Sequence, residues 1–195
     1  MGLISNGTTI FDNGSMASGF GGDLTFISKA TASSSASIEF TLGDYKEYQF
    51  YFVNVHPGTD NVKFQFNLST DNGSNYNVTK TSTYYAAYHS EVDDAGVAYS
   101  TGSDLAQSTS DQPITEDSGA DNDQAISGFM SLFNPSSTTY VKHYMSNMSN
   151  AQQTDYSQNI FSTGYANTTS ALTNIRFKFA SGNIDAGEIL LFGVN

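Results

Sequence analysis

The side chains best suited to chemistry include two small clusters of acids. Asp121 and Asp123 flank Asn122, and Asp93 lies beside Asp94. Closely spaced carboxylates can bind Ca²⁺, which prefers hard oxygen ligands, so Asp121 and Asp123 are the candidate calcium ligands. Neither cluster has the twelve-residue spacing of an EF-hand loop, and a solvated acidic surface is the alternative explanation. No other metal or cofactor is predicted.

The three histidines, His56, His89 and His143, are the candidate general bases. A hydrolase would need a nucleophile and an orienting acid beside one of them. The chain has no cysteine and no G-x-S-x-G motif, and serines are so frequent that Ser/His/Asp combinations arise by chance. Glycosidase carboxylates need a fixed separation, whereas the acids of this chain fall in a loop-like stretch. The sequence therefore predicts no catalytic residues and no enzyme.

A run of tyrosines gives one further candidate site. Tyr84, Tyr85 and Tyr88 follow one another closely. They could line a sugar-binding platform, or they could pack in the core of a strand pair, because tyrosine combines a large apolar ring with a polar hydroxyl.

The charge balance excludes several partners. Nineteen acidic residues against seven basic ones give a net charge of −12. Such a chain repels polyphosphate and anionic lipid, so neither nucleic acid nor membrane is an expected partner. No apolar run reaches transmembrane length, and the first residues lack the pattern of a secretion signal. The length of 195 residues predicts one folded domain, and without cysteine it has no disulfides.

Most of the net charge lies in one stretch, residues 89–124, which we call the acidic segment. It holds nine acids and no Lys or Arg. Its length and charge predict a long surface loop of the kind often kept for function. A few apolar residues could attach this loop to the domain at intervals: Val92, Val97, Tyr99, Leu105 and Ile114.

The rest of the chain alternates apolar and polar residues at period two, which indicates β-strands. Residues 173–180 and 188–194 form the clearest pair, predicted as a closing hairpin whose final strand is central in a sheet. Residues 61–69 are predicted to pair with residues 45–55. Counting eight or nine strands and no helix, we expect an all-β fold: an antiparallel, jelly-roll-like β-sandwich over residues 23–195. Residues 1–22, rich in Gly and Ser, are predicted to be an arm that contacts a neighbouring subunit or packs on its own domain.

Five stretches of the chain resemble small virion structural proteins of tailed bacteriophages from aquatic hosts. They are residues 5–9 (SNGTT), 31–36 (TASSSA), 48–62 (YQFYFVNVHPGTDNV), 135–143 (PSSTTYVKH) and 181–187 (SGNIDAG). These stretches are distributed over nearly the whole length. The stretches resemble those proteins in general sequence character, and none of them is a catalytic motif.

The resemblance implies a non-enzymatic particle component, located in the virion after assembly in the host cytoplasm. The first hypothesis is a head decoration (cement) protein, a homotrimer that binds other virion proteins such as the major capsid protein. The alternative is a tail or fibre module that binds a host-surface glycan. A secreted carbohydrate-active enzyme is disfavoured, because the chain shows neither a signal nor a catalytic constellation.

Overall fold

The computed structural model describes residues 24–195 in full and, before them, only the backbone of residues 3–5, 8–12 and 15–16. Those three segments are the short strands β1 (Leu3–Ser5), β2 (Thr8–Asp12) and β3 (Ser15–Met16), paired antiparallel in that order. The predicted arm, residues 1–22, falls for the most part outside the described residues, so it stays a prediction.

Residues 24–195 form an all-β, sandwich-like domain of twelve strands in two antiparallel sheets. The larger sheet has eight strands in the order β4-β15-β6-β11-β12-β13-β8-β9, and the smaller has four in the order β10-β7-β14-β5. The strands are β4 (Leu24–Thr31), β5 (Ile38–Thr41), β6 (Glu47–Pro57), β7 (Phe64–Ser69), β8 (Lys80–Ser90), β9 (Ala95–Tyr99), β10 (Gln112–Pro113), β11 (Ile126–Phe133), β12 (Lys142–Gln152), β13 (Tyr156–Ala166), β14 (Asn174–Phe179) and β15 (Ile184–Val194).

The core lies between the two sheets and is built mainly of phenylalanine. Phe177 of β14 occupies its centre, with ring centroids 5.1 Å from Phe50 and 5.2 Å from Phe52 on the opposing sheet. The rings of Phe40 and Phe64 complete the cluster at 6.3 and 6.0 Å. All five side chains are buried, and edge-to-face aromatic pairs add about 0.5–1.5 kcal/mol each beyond area burial.

The predicted strands are present, but two predicted pairings are wrong. Strands β14 and β15 do not form a hairpin, because β14 lies in the smaller sheet and β15 in the larger. Likewise β6 and β7 face each other across the core, with the rings of Phe52 and Phe64 in contact, instead of pairing by hydrogen bonds. The prediction that the final strand lies inside a sheet is confirmed, since β15 pairs with both β4 and β6.

The acidic segment differs from the predicted surface loop. It contains the edge strand β9, which pairs with β8, and the short strand β10, which pairs with β7. Residues 112–115, in its second half, are buried: Ile114 is fully buried and donates its backbone N–H to the carbonyl of Phe64 at 2.8 Å. These inserted strands account for much of the excess over the eight or nine strands expected. The segment therefore joins the core at Ile114, while most of residues 91–110 lie on the surface as predicted.

Of the apolar residues expected to attach this segment, Ile114 does so and Val97 does not, because 74% of Val97 is exposed. We predict that Ile114→Ala lowers the free energy of unfolding by about 2–5 kcal/mol, since it leaves a cavity in the core. Val97→Ala should change it by less than about 0.5 kcal/mol. Urea denaturation of both variants measures the difference. Equal effects would contradict the structural role assigned to the acidic segment.

Candidate functional site

The candidate calcium ligands lie in an exposed turn. Asp121 and Asp123 are both exposed, and the backbone N–H of Gln124 donates to the carbonyl of Asp121 at 2.9 Å. The Nε2 atom of His56 lies 3.1 Å from the same carbonyl oxygen. Within the described part of the chain, no group of three or more His, Asp and Glu side chains is placed to hold a metal ion. The turn thus offers two carboxylates without a third such ligand.

The three histidines lie apart from one another. His89 contacts the carboxylate of Asp93 at 3.1 Å in an exposed position, and His143 lies on an exposed strand face with its ring 6.2 Å from that of Tyr165. The side-chain contacts of His56 and His89 within residues 24–195 involve Asp121 and Asp93, and neither includes a serine hydroxyl. The structure therefore brings none of them into a Ser/His/Asp arrangement.

The tyrosine run divides between the two faces of strand β8. Tyr84 is fully buried, and burial raises the pKa of its phenol far above its usual range. Tyr85, the next residue, points to the opposite, exposed face, where its ring stacks on that of Phe161 at 5.1 Å. Core packing is therefore the role of Tyr84, while Tyr85 belongs to a surface.

That surface is the outer face of the eight-stranded sheet. The strand register aligns one residue from each strand into a single row that crosses the whole sheet. From edge to edge this central row is Tyr99, Tyr85, Phe161, Asn147, Phe129, Tyr51, Leu190 and Lys29. Six of its eight residues are aromatic or aliphatic, and its single charge lies at one end.

A second row runs beside the first on the same face. It consists of Thr83, Thr163, Met145, Ser131, Gln49, Phe192 and Phe26, and it contains no charged residue. We call the two rows together the outer rows. Their fifteen positions carry one charge, Lys29, whose ammonium pairs with the carboxylate of Glu188.

Aromatic rings connect the outer rows on the side nearest β4. The ring of Phe192 lies 5.5 Å from Phe26 and 5.6 Å from Tyr51, and Tyr51 lies 6.4 Å from Phe129. Three of these rings remain between 40% and 55% exposed (Tyr51, Phe129 and Phe26). An exposed aromatic face of this extent is unusual for a protein without a partner, and aromatic enrichment with few charges is typical of interface cores.

Sequence analysis did not single out the outer rows, although a signal was present. Residues 45–55 carry aromatic side chains at both parities, with Tyr48, Phe50 and Phe52 facing the core and Tyr51 facing outward. A sandwich strand needs only one apolar face, so the second aromatic face is in excess of what folding requires. The identity of the aligned neighbours on other strands depends on register, which no local pattern specifies.

Comparison with known proteins adds no family: no family model matches the chain, and neither a curated protein nor a solved structure matches it. Among the described residues, no helix is long and apolar enough to cross a membrane. The functional interpretation therefore depends on the geometry of the chain itself.

Two of the nine acids in the acidic segment form ion pairs with basic residues outside it. The carboxylate of Glu116 lies 3.2 Å from the ammonium of Lys63, and Asp111 lies 3.5 Å from the guanidinium of Arg176. Two others accept hydrogen bonds from tyrosine hydroxyls, Asp104 from Tyr99 and Asp94 from Tyr156. Protein cations and hydroxyls thus offset part of the repulsion that the sequence predicts.

We predict that salt raises the melting temperature by screening the remaining acids, because the screening length is about 10 Å at 0.1 M salt and shorter above it. NaCl and CaCl₂ should raise it equally at matched ionic strength, since Asp121 and Asp123 have no third carboxylate beside them. Thermal denaturation measures both shifts. A larger shift with calcium that disappears in Asp121→Asn/Asp123→Asn would instead establish a calcium site.

Proposed function

We propose that this protein is a non-enzymatic structural component that works by surface contact, as a decoration (cement) protein on a phage head. The observation that carries the proposal is the pair of outer rows, an aromatic and nearly uncharged surface on a chain of net charge −12. Contact through such a face removes apolar rings from water, which contributes about 25 cal/mol per Å². It also avoids bringing the acidic parts of two surfaces together.

The setting comes from the resemblance to virion proteins of tailed phages. The resemblance implies two partners, the major capsid protein and further copies of this chain, which would form a homotrimer. It implies the virion as the location. A jelly-roll-like connection of the two antiparallel sheets is part of the same proposal. Arms at chain ends commonly extend to neighbours in symmetric assemblies, which is the role proposed for residues 1–22.

A specific observation favours one alternative, a tail or fibre module that binds a glycan. At the β9 edge of the outer rows, Tyr85 and Tyr99 are exposed, and the side-chain amide of Asn159 donates to that of Asn147 at 2.9 Å. Rings that cover the apolar face of a sugar and amides that bind its hydroxyls are the usual elements of such sites. A glycan that binds wild type but not Tyr85→Ala would favour this alternative.

The number of copies per particle tests the proposed location. Quantitative mass spectrometry of purified particles, relative to the major capsid protein, should give copy numbers of the same order for a head decoration protein. A few copies per particle would favour the tail or fibre module. Absence from the particle would contradict both.

We further predict that Tyr51→Ser/Phe129→Ser weakens binding to phage heads at least tenfold, because it removes the two adjacent rings at the centre of the outer rows. Tyr51 is 40% and Phe129 47% exposed on the outer face, so the melting temperature should fall far less than for a substitution in the core. Co-sedimentation with heads measures the binding. Val92→Ser, at an exposed position in the turn between β8 and β9, is the matched control and should bind as wild type does. Undiminished binding by the double variant would exclude the outer rows as the contact surface.

A further inference from the structure

Lys80 and Asn67, both buried, form a cluster with the partly buried Asp111 away from the outer rows. It lies where β7, the first residue of β8 and the acidic segment meet, and it therefore joins the two sheets. Lys80 has 0% and Asn67 2% of its surface exposed. A fully buried lysine is rare because removing an ammonium from water is costly, so its surroundings call for an explanation.

The amide of Asn67 is held between an amine and a carboxylate. The Nζ atom of Lys80 lies 2.6 Å from Oδ1 of Asn67, and Nδ2 of Asn67 donates to Oδ1 of Asp111 at 2.9 Å. The backbone N–H of Leu68 donates to the same Oδ1 of Asn67 at 2.9 Å. Because a C=O bond is about 1.2 Å long, Nζ lies within about 3.8 Å of the amide carbon, close to the separation at which an attack can begin.

Each group around the Asn67 amide has a property that acyl transfer requires. Burial lowers the pKa of Lys80 to about 8, so a substantial fraction of the amine is neutral and nucleophilic under mild conditions. The N–H of Leu68 polarises the carbonyl and is placed to stabilise negative charge on Oδ1, as an oxyanion-hole donor does. Asp111 contacts the nitrogen that would leave, and its ion pairs with Arg176 and Lys178 hold the carboxylate in place.

We propose that Lys80 and Asn67 form an intramolecular isopeptide bond, with Asp111 as the catalytic proton carrier. The lone pair of Nζ attacks Cγ of Asn67, and the carbonyl electrons move to Oδ1. When the carbonyl re-forms, the Cγ–Nδ2 bond breaks and its electron pair stays on Nδ2. Asp111 transfers the proton lost by Nζ to Nδ2, which leaves as ammonia. One C–N bond replaces another, so the step needs no oxidant and no co-reactant.

The second buried lysine shows what an ordinary structural role looks like in this protein. Lys142 is also fully buried, and its ammonium donates to the backbone carbonyls of Thr168 and Ser170 at 3.1 and 2.6 Å. Both acceptors are backbone carbonyls. Neither is a side-chain amide whose nitrogen contacts a carboxylate, as Nδ2 of Asn67 contacts Asp111. Lys142 therefore serves as the internal control for burial without reaction.

The mass of the purified full chain tests the bond directly. Intact mass spectrometry under denaturing conditions should give a mass lower than the sequence mass by one ammonia. Trypsin should fail to cut after Lys80, because the amine it recognises has become an amide. Chymotrypsin cuts after Tyr76, which lies between Asn67 and Lys80. The segments before and after this cut should stay joined to each other through the isopeptide bond.

Variants separate this reaction from another route to the same mass. Asn72 precedes Gly73 in a turn with positive φ at both residues, and such a pair can lose ammonia by cyclising to a succinimide. That product leaves cleavage after Lys80 intact, whether it forms at Asn72 or at the other Asn-Gly pairs, Asn6-Gly7 and Asn13-Gly14, so the joined peptide distinguishes the two reactions. Asn67→Ala, Lys80→Met and Asp111→Asn should each abolish the joined peptide, whereas Lys142→Met should retain it. Normal cleavage after Lys80 in the folded wild-type chain, or a joined peptide in Lys80→Met, would overturn the proposal.

The rate of ammonia loss gives an independent test, because only the neutral amine is a nucleophile. Asp111 is the charged group near Lys80, and it acts on the pKa in the direction opposite to burial. Chain isolated in the unfolded, unreacted form and then folded at about pH 6 should lose ammonia tens of times faster when moved to about pH 9, because the neutral fraction of an amine with a pKa of about 8 rises from about 1% to about 90%. A rate that does not change across this range would contradict attack by Lys80.

Discussion

The structure depends on one mismatch: an eight-stranded sheet is packed against a sheet of only four strands. The phenylalanine core around Phe177 covers the inner face of the larger sheet near β6, and Phe66 reaches β12 by contact with Tyr144. Toward β8, contacts come from the acidic segment instead. Its backbone hydrogen-bonds to β8 at Ser82 and Tyr84, and its residue Ile114 is buried. The most acidic stretch of the chain therefore contributes Ile114 to the core and extends the hydrogen bonding of β8.

Strand positions could be predicted from the sequence because alternation is a local property. Phe50 and Phe52 face the core, and His143 and Met145 face outward, as period-two alternation predicts. Pairing could not be predicted in the same way, because β14 and β15 are separated by a short connection that fits a hairpin as well as a crossing between sheets. Which of the two occurs depends on the strands available to pair with each, β7 and β5 for β14 and β4 and β6 for β15, and that is a property of the whole chain.

The cluster of Lys80, Asn67 and Asp111 could not be predicted from the sequence for a related reason. Asn67, Lys80 and Asp111 come from three separate parts of the chain, and each looks ordinary where it stands. Lys80 alone carried a signal, since it begins the alternating series with Ser82, Tyr84 and Ala86 that faces inward. A lysine at a core-facing position requires buried acceptors, although the pattern cannot say which residues supply them.

The Lys80–Asn67 contact and the outer rows depend on each other through the shape of the large sheet. The outer rows are a usable surface only if eight strands keep their register and twist, because a shift by one residue would turn Tyr51, Phe129 and Phe161 inward. On the inner side, β8 is held by the acidic segment and by the Lys80–Asn67 contact to the smaller sheet. A covalent link at that contact would fix the far half of the sheet against the core. The nearly uncharged outer rows would then meet a partner surface as one rigid face, and little conformational entropy would be lost on binding.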